Sequence, residues 1–390
     1  MNVEPVSPEE RLRIAVLGDL DGVHTRSWLR WFIARGHEIH AISFYPPSKP
    51  VDGVTLHVLR DRLARQSAGT TTASSSGGRA RGLMRLVHGI RYRLAGLNHV
   101  LKEIQPEIFH AHYVVEHGFY GALAGFHPYV VTAWGSDILV EPERDPVSRW
   151  IAKWTLARAD LVTSNNRVMA EEIVRLGVAR SKVEVVTLGA DAWYGERLLE
   201  SVNVAGRREG GPMVLSTRAH ERLYNIDVII DAFARAAGEH PGARLMIAHS
   251  GSMTGQLKAQ ATASGAAVEF TGTVDAGRLR DLMTGAEIFV SVPSSDGTSV
   301  ALLQAMAAGA FPVVADLATQ REWITDGENG LLVPARDVTG LAGAIGRALA
   351  DPALRRTAAE RNRDIVRARG TNETQMARLE RLYLWLVDRA

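Results

Sequence analysis

Four consecutive residues, Asp296-Gly297-Thr298-Ser299, lie between an apolar run and a segment of helical spacing, and their types suit them to hold an anion. Read as a turn from a strand end into a helix start, they leave backbone N–H groups without intrahelical partners, at the positive end of the helix dipole. A diphosphate is favoured there. Gly297 permits close backbone approach to a ligand. The same residues also make an ordinary helix cap, with Asp296 or Thr298 accepting from the first-turn donors. Arg218, after the apolar run Met213 to Thr217, tips the balance toward phosphate. A guanidinium stays charged and grips phosphate oxygens bidentately. Fixed positive charge aimed at a departing phosphate lowers the barrier to its departure. His249-Ser250-Gly251 ends another run in this half and is a candidate lining of the same pocket.

The first half carries a second set. Gly18 to Arg26 (GDLDGVHTR) follows the first apolar run and lacks the Gly-Lys-Ser/Thr ending of a Walker loop. Asp19 and Asp21 spell DxD, but two carboxylates in one loop are too few for a metal site. His110 and His112 alternate on a strand and so share a face. Zinc would need a third ligand that is not recognisable nearby, so no metal is expected. Thr132, Trp134, Gly135, Ser136 and Asp137 close the next run. The Trp134 indole either floors a ligand site or packs in the core. Gly18, Asp19 and His24 are candidates for facing a ligand.

These groups need elements to hold them. Leu12–Leu17, Glu38–Phe44, Ile108–His112, Tyr129–Ala133, Leu161–Ser164 and Val183–Leu188 read as strands, with helical patterns between them, the first over Ser27–Ala34. The rhythm restarts after the Gly-rich break 206–211 with strands at Met213–Thr217, Arg244–Ala248, Val268–Thr271, Ile288–Val292 and Pro312–Ala315. Strand–helix alternation of this kind predicts parallel sheets covered on both faces. Two domains follow, 1–200 and 207–372, with a C-terminal helix over 373–390 packing back on the first. Ligands in such folds sit beyond the carboxyl ends of the strands, and two facing units make a cleft.

Composition sets the bounds. The 390 residues suit two domains. The formal charge of +2 gives no basic field for nucleic acid. The absence of cysteine excludes disulfides, zinc–thiolate sites and thiol catalysis. Residues 1–11 are polar and acidic, unlike a signal peptide. No stretch approaches the roughly 20 apolar residues that span a bilayer, so a soluble cytoplasmic protein is expected. Residues 66–78 are of low complexity. Beyond them, 79–97 is a basic amphipathic helix, either packed on the first sheet or lying peripherally on an anionic membrane at its inner face.

Segment 287–334 runs strand, Pro-Ser, acidic residue, Gly, small residues, a helix with Ala-Met-Ala-x-Gly, strand, Glu, Gly and then Gly-Leu-Leu-Val. From Met213 to Pro334 this order resembles the family 4 glycosyltransferases. A weaker likeness runs through HAH at 110–112 and TAWGSD at 132–137. The resemblance implies an α/β protein of GT-B fold, with two Rossmann-like doubly wound domains facing across a cleft. It implies a nucleotide-diphosphate sugar as substrate, UDP-linked by family frequency, no metal or other cofactor, and retention of anomeric configuration. Arg218 then neutralises the donor diphosphate, the Gly18 loop lies near the transferred sugar, and Asp19, His24, Thr132, Trp134, Ser136 and Asp137 fall on the acceptor side. His112 either touches that sugar or is a buried, satisfied histidine.

Three positions depart from the family pattern. Tyr224 stands where a lysine is usual, leaving Arg222 as the candidate replacement charge. Asp296 replaces the first acidic residue of a Glu pair, and Gln304 the second, whose carboxylate accepts from the nucleotide ribose. Glutamine keeps one acceptor oxygen without the charge. Sugar transfer to an acceptor hydroxyl is therefore expected, on a lipid-linked glycan, a polysaccharide end or a small molecule. Catalysis would fall to His112, Arg218 and Asp296. A nucleotide-sugar epimerase of the same architecture, or a donor-binding relative with weak turnover, are the competing readings.

Overall fold

The computed structural model describes residues 5–59, 78–197 and 211–389. The low-complexity run 66–77, most of the break at 206–211 and the side chains of 78–87 lie outside that description. The chain divides into two compact units, Met1–Val186 with Met376–Ala390, and Thr187–Gln375.

Among the described residues, the first unit holds β1 (Arg13–Leu17), β2 (Glu38–Ser43), β3 (Thr55–Val58), β4 (Ile108–His112), β5 (Tyr129–Ala133), β6 (Leu161–Ser164) and β7 (Val183–Val185). They form one parallel sheet in the order β3-β2-β1-β4-β5-β6-β7, with Ile14 between Ile39 and Ile108 in register. The central strands are covered on both faces, so β4 and β5 are buried at every position, His110, His112 and Thr132 included. The sequence reading missed β3, whose first two residues, Thr55 and Leu56, are exposed and which lacks an apolar run. It also extended β7 to Leu188. The sheet ends at Val185, and Leu188 instead offers its carbonyl to Asn372 Nδ2 at 2.6 Å, within the second unit. The first unit accordingly ends at Val186, short of the expected 200.

The helix Val23–Ala34 begins a turn earlier than expected, which puts His24 on its first turn. Helix Gly78–Ile104 buries Leu97, Val100, Leu101 and Ile104 in the first core. Its Arg93 turns inward, 4.5 Å over the Phe44 ring, and donates to the Tyr45 hydroxyl at 2.9 Å. The described part of this helix is thus packed on the sheet. Helix Asn372–Val387 buries Met376, Leu379 and Tyr383. Its Glu380 accepts from Arg35 at 3.0 Å and from His37 Nε2 at 2.7 Å, and Tyr383 bonds His110 Nδ1 at 2.6 Å.

The second unit holds β8 (Met213–Ser216), β9 (Arg244–Ala248), β10 (Val268–Gly272), β11 (Ile288–Ser291), β12 (Phe311–Ala315) and β13 (Leu331–Val333). They are parallel, in the order β10-β9-β8-β11-β12-β13. Alternate residues fill two cores: Val214, Leu245, Ile247, Val290 and Val313 on one face, Leu215, Met246, Phe289 and Val314 on the other. Three-residue β13 was legible only as a Gly-Leu-Leu-Val motif.

Both sheets reverse strand order beside their first strand, between β1 and β4 and between β8 and β11. Loops leaving neighbouring strands in opposite directions open a crevice at such a point. The topology therefore brings residues 18–22 to 113–118 in one unit, and 217–225 to 292–299 in the other.

Candidate active site

In the second unit the reversal point is closed by Arg218. Its guanidinium donates to Ser299 Oγ at 2.9 Å and lies 3.0 Å from Asp296 Oδ2. Ser299 is the N-cap of helix Val300–Ala308, and its hydroxyl accepts from Leu302 N. The cap reading and the anion reading therefore meet in one residue. Asp296 is largely buried, and burial pushes its carboxyl up, against the opposing pull of the Arg218 charge and the Gly297 amide. Tyr224, the residue at the usual lysine position, lies beneath Arg218 with its ring centre 4.3 Å from the guanidinium carbon. Where the family pattern has a second charge, this chain has an aromatic face that holds the first.

Asn225 organises these loops and was not singled out from sequence. It has a left-handed backbone (φ 51°), and its Nδ2 reaches the Val292 carbonyl at 2.8 Å and Ser294 Oγ at 3.0 Å. Ser294 N also donates to the Leu223 carbonyl at 2.9 Å. The loop after β8 is thus latched to the loop after β11. An asparagine directly before a strongly periodic helix was the available signal, but it suggested a cap, whereas the side chain crosses to the neighbouring loop.

The other donor-side candidates are placed less uniformly. Thr298 and Ser299 are buried, Gln304 is half-buried on the helix that follows, and Arg222 is exposed in a short 3-10 turn. His249 is exposed, with φ 85°. Gly251 is required by packing: a Cβ there would lie 2.7 Å from Glu221 Oε1 and from the His220 carbonyl.

In the first unit, residues far apart in sequence form an aromatic cluster. His24 stacks on Trp134 at 4.9 Å, and Trp134 meets the His112 ring edge-on at 5.5 Å. A Cβ on Gly18 would sit 3.3 Å from His112 Cβ, so the loop approaches the strand closely. His112 is buried, Nδ1 is 3.2 Å from Thr25 Oγ1, and Nε2 has no hydrogen-bond partner. Burial, helped by nearby His117 and His24, lowers its pKa to about 3, so it is neutral at physiological pH.

Two acceptor-side expectations are corrected. Asp137 is fully buried and accepts from the amides of Val114, Trp134 and Gly135 at 2.8 to 3.3 Å. It closes the corner after β5 and is shielded from any acceptor. Thr132 is buried between His110 Nε2 (2.6 Å) and Thr163 Oγ1 (2.5 Å). Ser136 is exposed and pairs with the Tyr113 hydroxyl at 2.9 Å. Asp21 is engaged by the amide and hydroxyl of Ser48 and by Arg26. Asp19 is exposed and lines a cavity of about 310 Å³ with Asp21, Ser43, Tyr45, Glu116 and His117.

Two parallel α/β units of Rossmann order, each with polar groups at its reversal point, define the GT-B fold. The chain is similar to Anabaena HepE, solved in complex with UDP, with a TM-score of 0.73 over 96% of this chain and 100% of that one, at 17% identity. The family profile "Glycosyl transferase 4-like" matches residues 13–166, and "Glycosyl transferases group 1" matches residues 200–365. The chain belongs to the group 1, family 4-like glycosyltransferases.

Among curated relatives, it is 31% identical over 150 residues to the phosphatidyl-myo-inositol mannosyltransferase of Mycolicibacterium smegmatis, covering 38% of each chain. It is 30% identical over 222 residues to the D-inositol 3-phosphate glycosyltransferase of Nocardia farcinica, covering 53% of this chain and 49% of that one. The chain spans less than half the length of these relatives and 15% of an exopolysaccharide phosphotransferase of Streptomyces coelicolor.

Proposed function

We propose that this protein transfers a glycosyl unit from a nucleotide-diphosphate sugar to an acceptor hydroxyl, with retention. The observation that carries the reading is the convergence of Arg218 with the helix start at Ser299. A fixed cation and first-turn donors lie where the loops after β8 and β11 meet. The UDP and UDP-glucose in the HepE complexes support a uridine donor. In this reading Arg218, Thr298 and Ser299 hold the diphosphate, with Arg222, His249, Gly251 and Gln304 around it. Asp296 positions Arg218. Gly18 and His112 are assigned to the donor sugar, and Asp19, His24, Trp134 and Ser136 to the acceptor.

The bond between the anomeric carbon and the phosphate oxygen breaks, and the acceptor oxygen bonds to that carbon. The acceptor proton passes to the leaving phosphate. Negative charge grows on the leaving diphosphate, where Arg218 is already oriented, so little reorganisation is needed as the charge develops. Direct attack on the face that the phosphate leaves accounts for retention without a protein nucleophile. The carboxylates of Asp19, Asp21 and Glu116 around the 310 Å³ cavity favour an uncharged, hydroxyl-rich acceptor end over an anionic one.

A thermal-shift panel of UDP, GDP, ADP and their sugars tests the donor, since a ligand that binds only the native state raises the melting temperature. The expected result is a shift with one nucleotide family, lost in Arg218→Ala. Equal, negligible shifts with every nucleotide would remove the proposal. Incubation with donor alone separates the competing readings: an epimer would indicate isomerisation. Binding without transfer or hydrolysis would indicate the donor-binding relative that neutral Gln304 keeps in view.

A further inference from the structure

Tyr224 carries the Arg218 guanidinium on its ring face, so whatever fixes Tyr224 also fixes that cation. The residues on either side of it are both pinned to the loop after β11. The Leu223 carbonyl accepts from Ser294 N at 2.9 Å, and Asn225 Nδ2 donates to the Val292 carbonyl at 2.8 Å and to Ser294 Oγ at 3.0 Å. Asn225 is 1% exposed, so its amide depends on protein partners. Its remaining polar atom, Oδ1, accepts from Arg336 Nη1 at 2.8 Å. Arg336 comes from a third loop, between β13 and helix Val338–Ala350.

The direction of each bond follows from chemistry. A guanidinium has donors only, so the Asn225 atom that faces it has to be the carbonyl oxygen. The NH2 group is then turned toward Val292, whose carbonyl only accepts. Arg336 and Val292 therefore demand the same orientation of the amide from opposite ends. Without Arg336 the buried oxygen loses its donor, and the side chain that ties the loops after β8 and β11 is held from one end only.

Arg336 is itself placed by the fold. Its Nη2 lies 3.5 Å from Asp227 Oδ2, on the first turn of helix Ile226–Ala237. The next residue, Asp337, caps helix Val338–Ala350 by accepting from Gly340 N at 2.8 Å. The two helices pack together and share a core through Ile229, Phe233, Leu341 and Ile345, so Asn225 and Arg336 start from neighbouring fixed points. The Arg336 side chain is 65% exposed, and an exposed pair with Asp227 would by itself contribute little. The contact with consequences is the one to the buried amide.

We propose that Arg336 is a positioning residue for the donor diphosphate: by holding Asn225 across two loops, it keeps Tyr224 beneath Arg218. The inference rests on the donor reading and extends it to a loop that brings no group to the phosphates.

Calorimetric titration of the full chain with UDP, and competition by uridine, test it. Arg336→Ala is expected to weaken UDP binding about three- to tenfold, the equivalent of one hydrogen bond. Uridine has no phosphate for Arg218 to hold, so it should bind as it does to wild type. Arg336→Lys, which keeps a donor, should recover part of the loss. Asn225→Gly keeps the left-handed backbone without strain and removes the side chain, so it should lose about as much. Arg336→Ala added to Asn225→Gly, or to Tyr224→Leu, should cost little more, because each pair acts through one path. If Arg336→Ala binds UDP within twofold of wild type while Arg218→Ala does not, the inference falls and the donor reading stands. Equal weakening of UDP and uridine would reduce Arg336 to a structural role and also overturn it, as would full additivity with Asn225→Gly. A wild type that binds no UDP would remove the uridine donor reading and this inference together.

Discussion

Replacing Arg218 by alanine reaches the centre of the proposed site, and its effect can be worked from the geometry. The guanidinium is shared between Ser299 Oγ at 2.9 Å and Asp296 Oδ2 at 3.0 Å, with side-chain exposures of 12% for Arg218 and 16% for Asp296. Water can replace little of what is lost. Two losses follow. The leaving diphosphate loses a fixed cation, which corresponds to about 2.7–4 kcal/mol, or roughly 100- to 1000-fold in turnover. Asp296 loses the charge that opposes its burial, so its carboxyl rises further and, while ionised, repels the phosphates.

Two consequences are specific to this arrangement. Asp296→Asn in the Arg218→Ala background should recover about tenfold in UDP affinity, or about 1.4 kcal/mol, within the roughly 0.5–3 kcal/mol by which touching residues depart from additivity. The affinity deficit of Arg218→Ala should also shrink as pH falls, because Asp296 then becomes neutral. Calorimetric UDP titration across pH, with UDP release as the turnover assay, reads both. The reasoning is refuted if Arg218→Ala binds UDP within twofold of wild type at an unchanged melting temperature, or if the double variant is merely additive.

Three further outcomes are expected. Tyr224→Leu should weaken UDP binding by the value of a partly buried cation–π contact, about 0.5–2 kcal/mol, whereas Tyr224→Phe should stay close to wild type, as titration would show. Asp137, raised by burial from 3.8 to about 6, stays protonated longer in the folded state than in the unfolded one, so its contribution to stability falls as pH rises from about 4 to 6. Asp137→Asn should accordingly gain on wild type by up to about 3 kcal/mol between pH 4 and pH 7 in denaturant melts, and a pH-independent difference would count against this. Glu380→Ala should lower stability by about 1–3 kcal/mol, because it leaves the buried Nε2–H of His37 without its acceptor. For Glu380 itself, burial pushes the carboxyl up, but the hydrogen bonds from His37 and Arg35 outweigh it and hold it below its ordinary value. Its stabilisation is therefore present above about pH 4.5 and lost as pH falls through the lower folded value, which acid melts of wild type and Glu380→Gln would reveal.

Much of the architecture was legible because a parallel strand buried on both faces reads as a nearly continuous apolar run. Ile108–His112, Tyr129–Ala133 and Arg244–Ala248 could be bounded to the residue for that reason. Half-exposed or very short strands lack that signature, and β3 and β13 were missed. Arg218 and the 296–299 turn were recognisable because strand end, small residues and helix start are local features of the chain. Which way a polar residue at a strand end turns is not local. Asp137 and Thr132 looked like acceptor-facing groups, yet packing turns both inward, where backbone amides and neighbouring side chains satisfy them.

What the amino-acid order determined by itself was the alternation that builds two Rossmann sheets and the residue types at each strand end, since periodicity and capping depend on neighbours a few positions apart. Only the tertiary structure decided that Tyr224 lies under Arg218, that Asn225 latches two loops, and that His24, Trp134 and His112 form one cluster. The first depends on how one loop folds back on itself; the others join positions far apart in the chain. They exist because the reversal of strand order sets particular loops side by side, a consequence of topology that no short window of sequence contains.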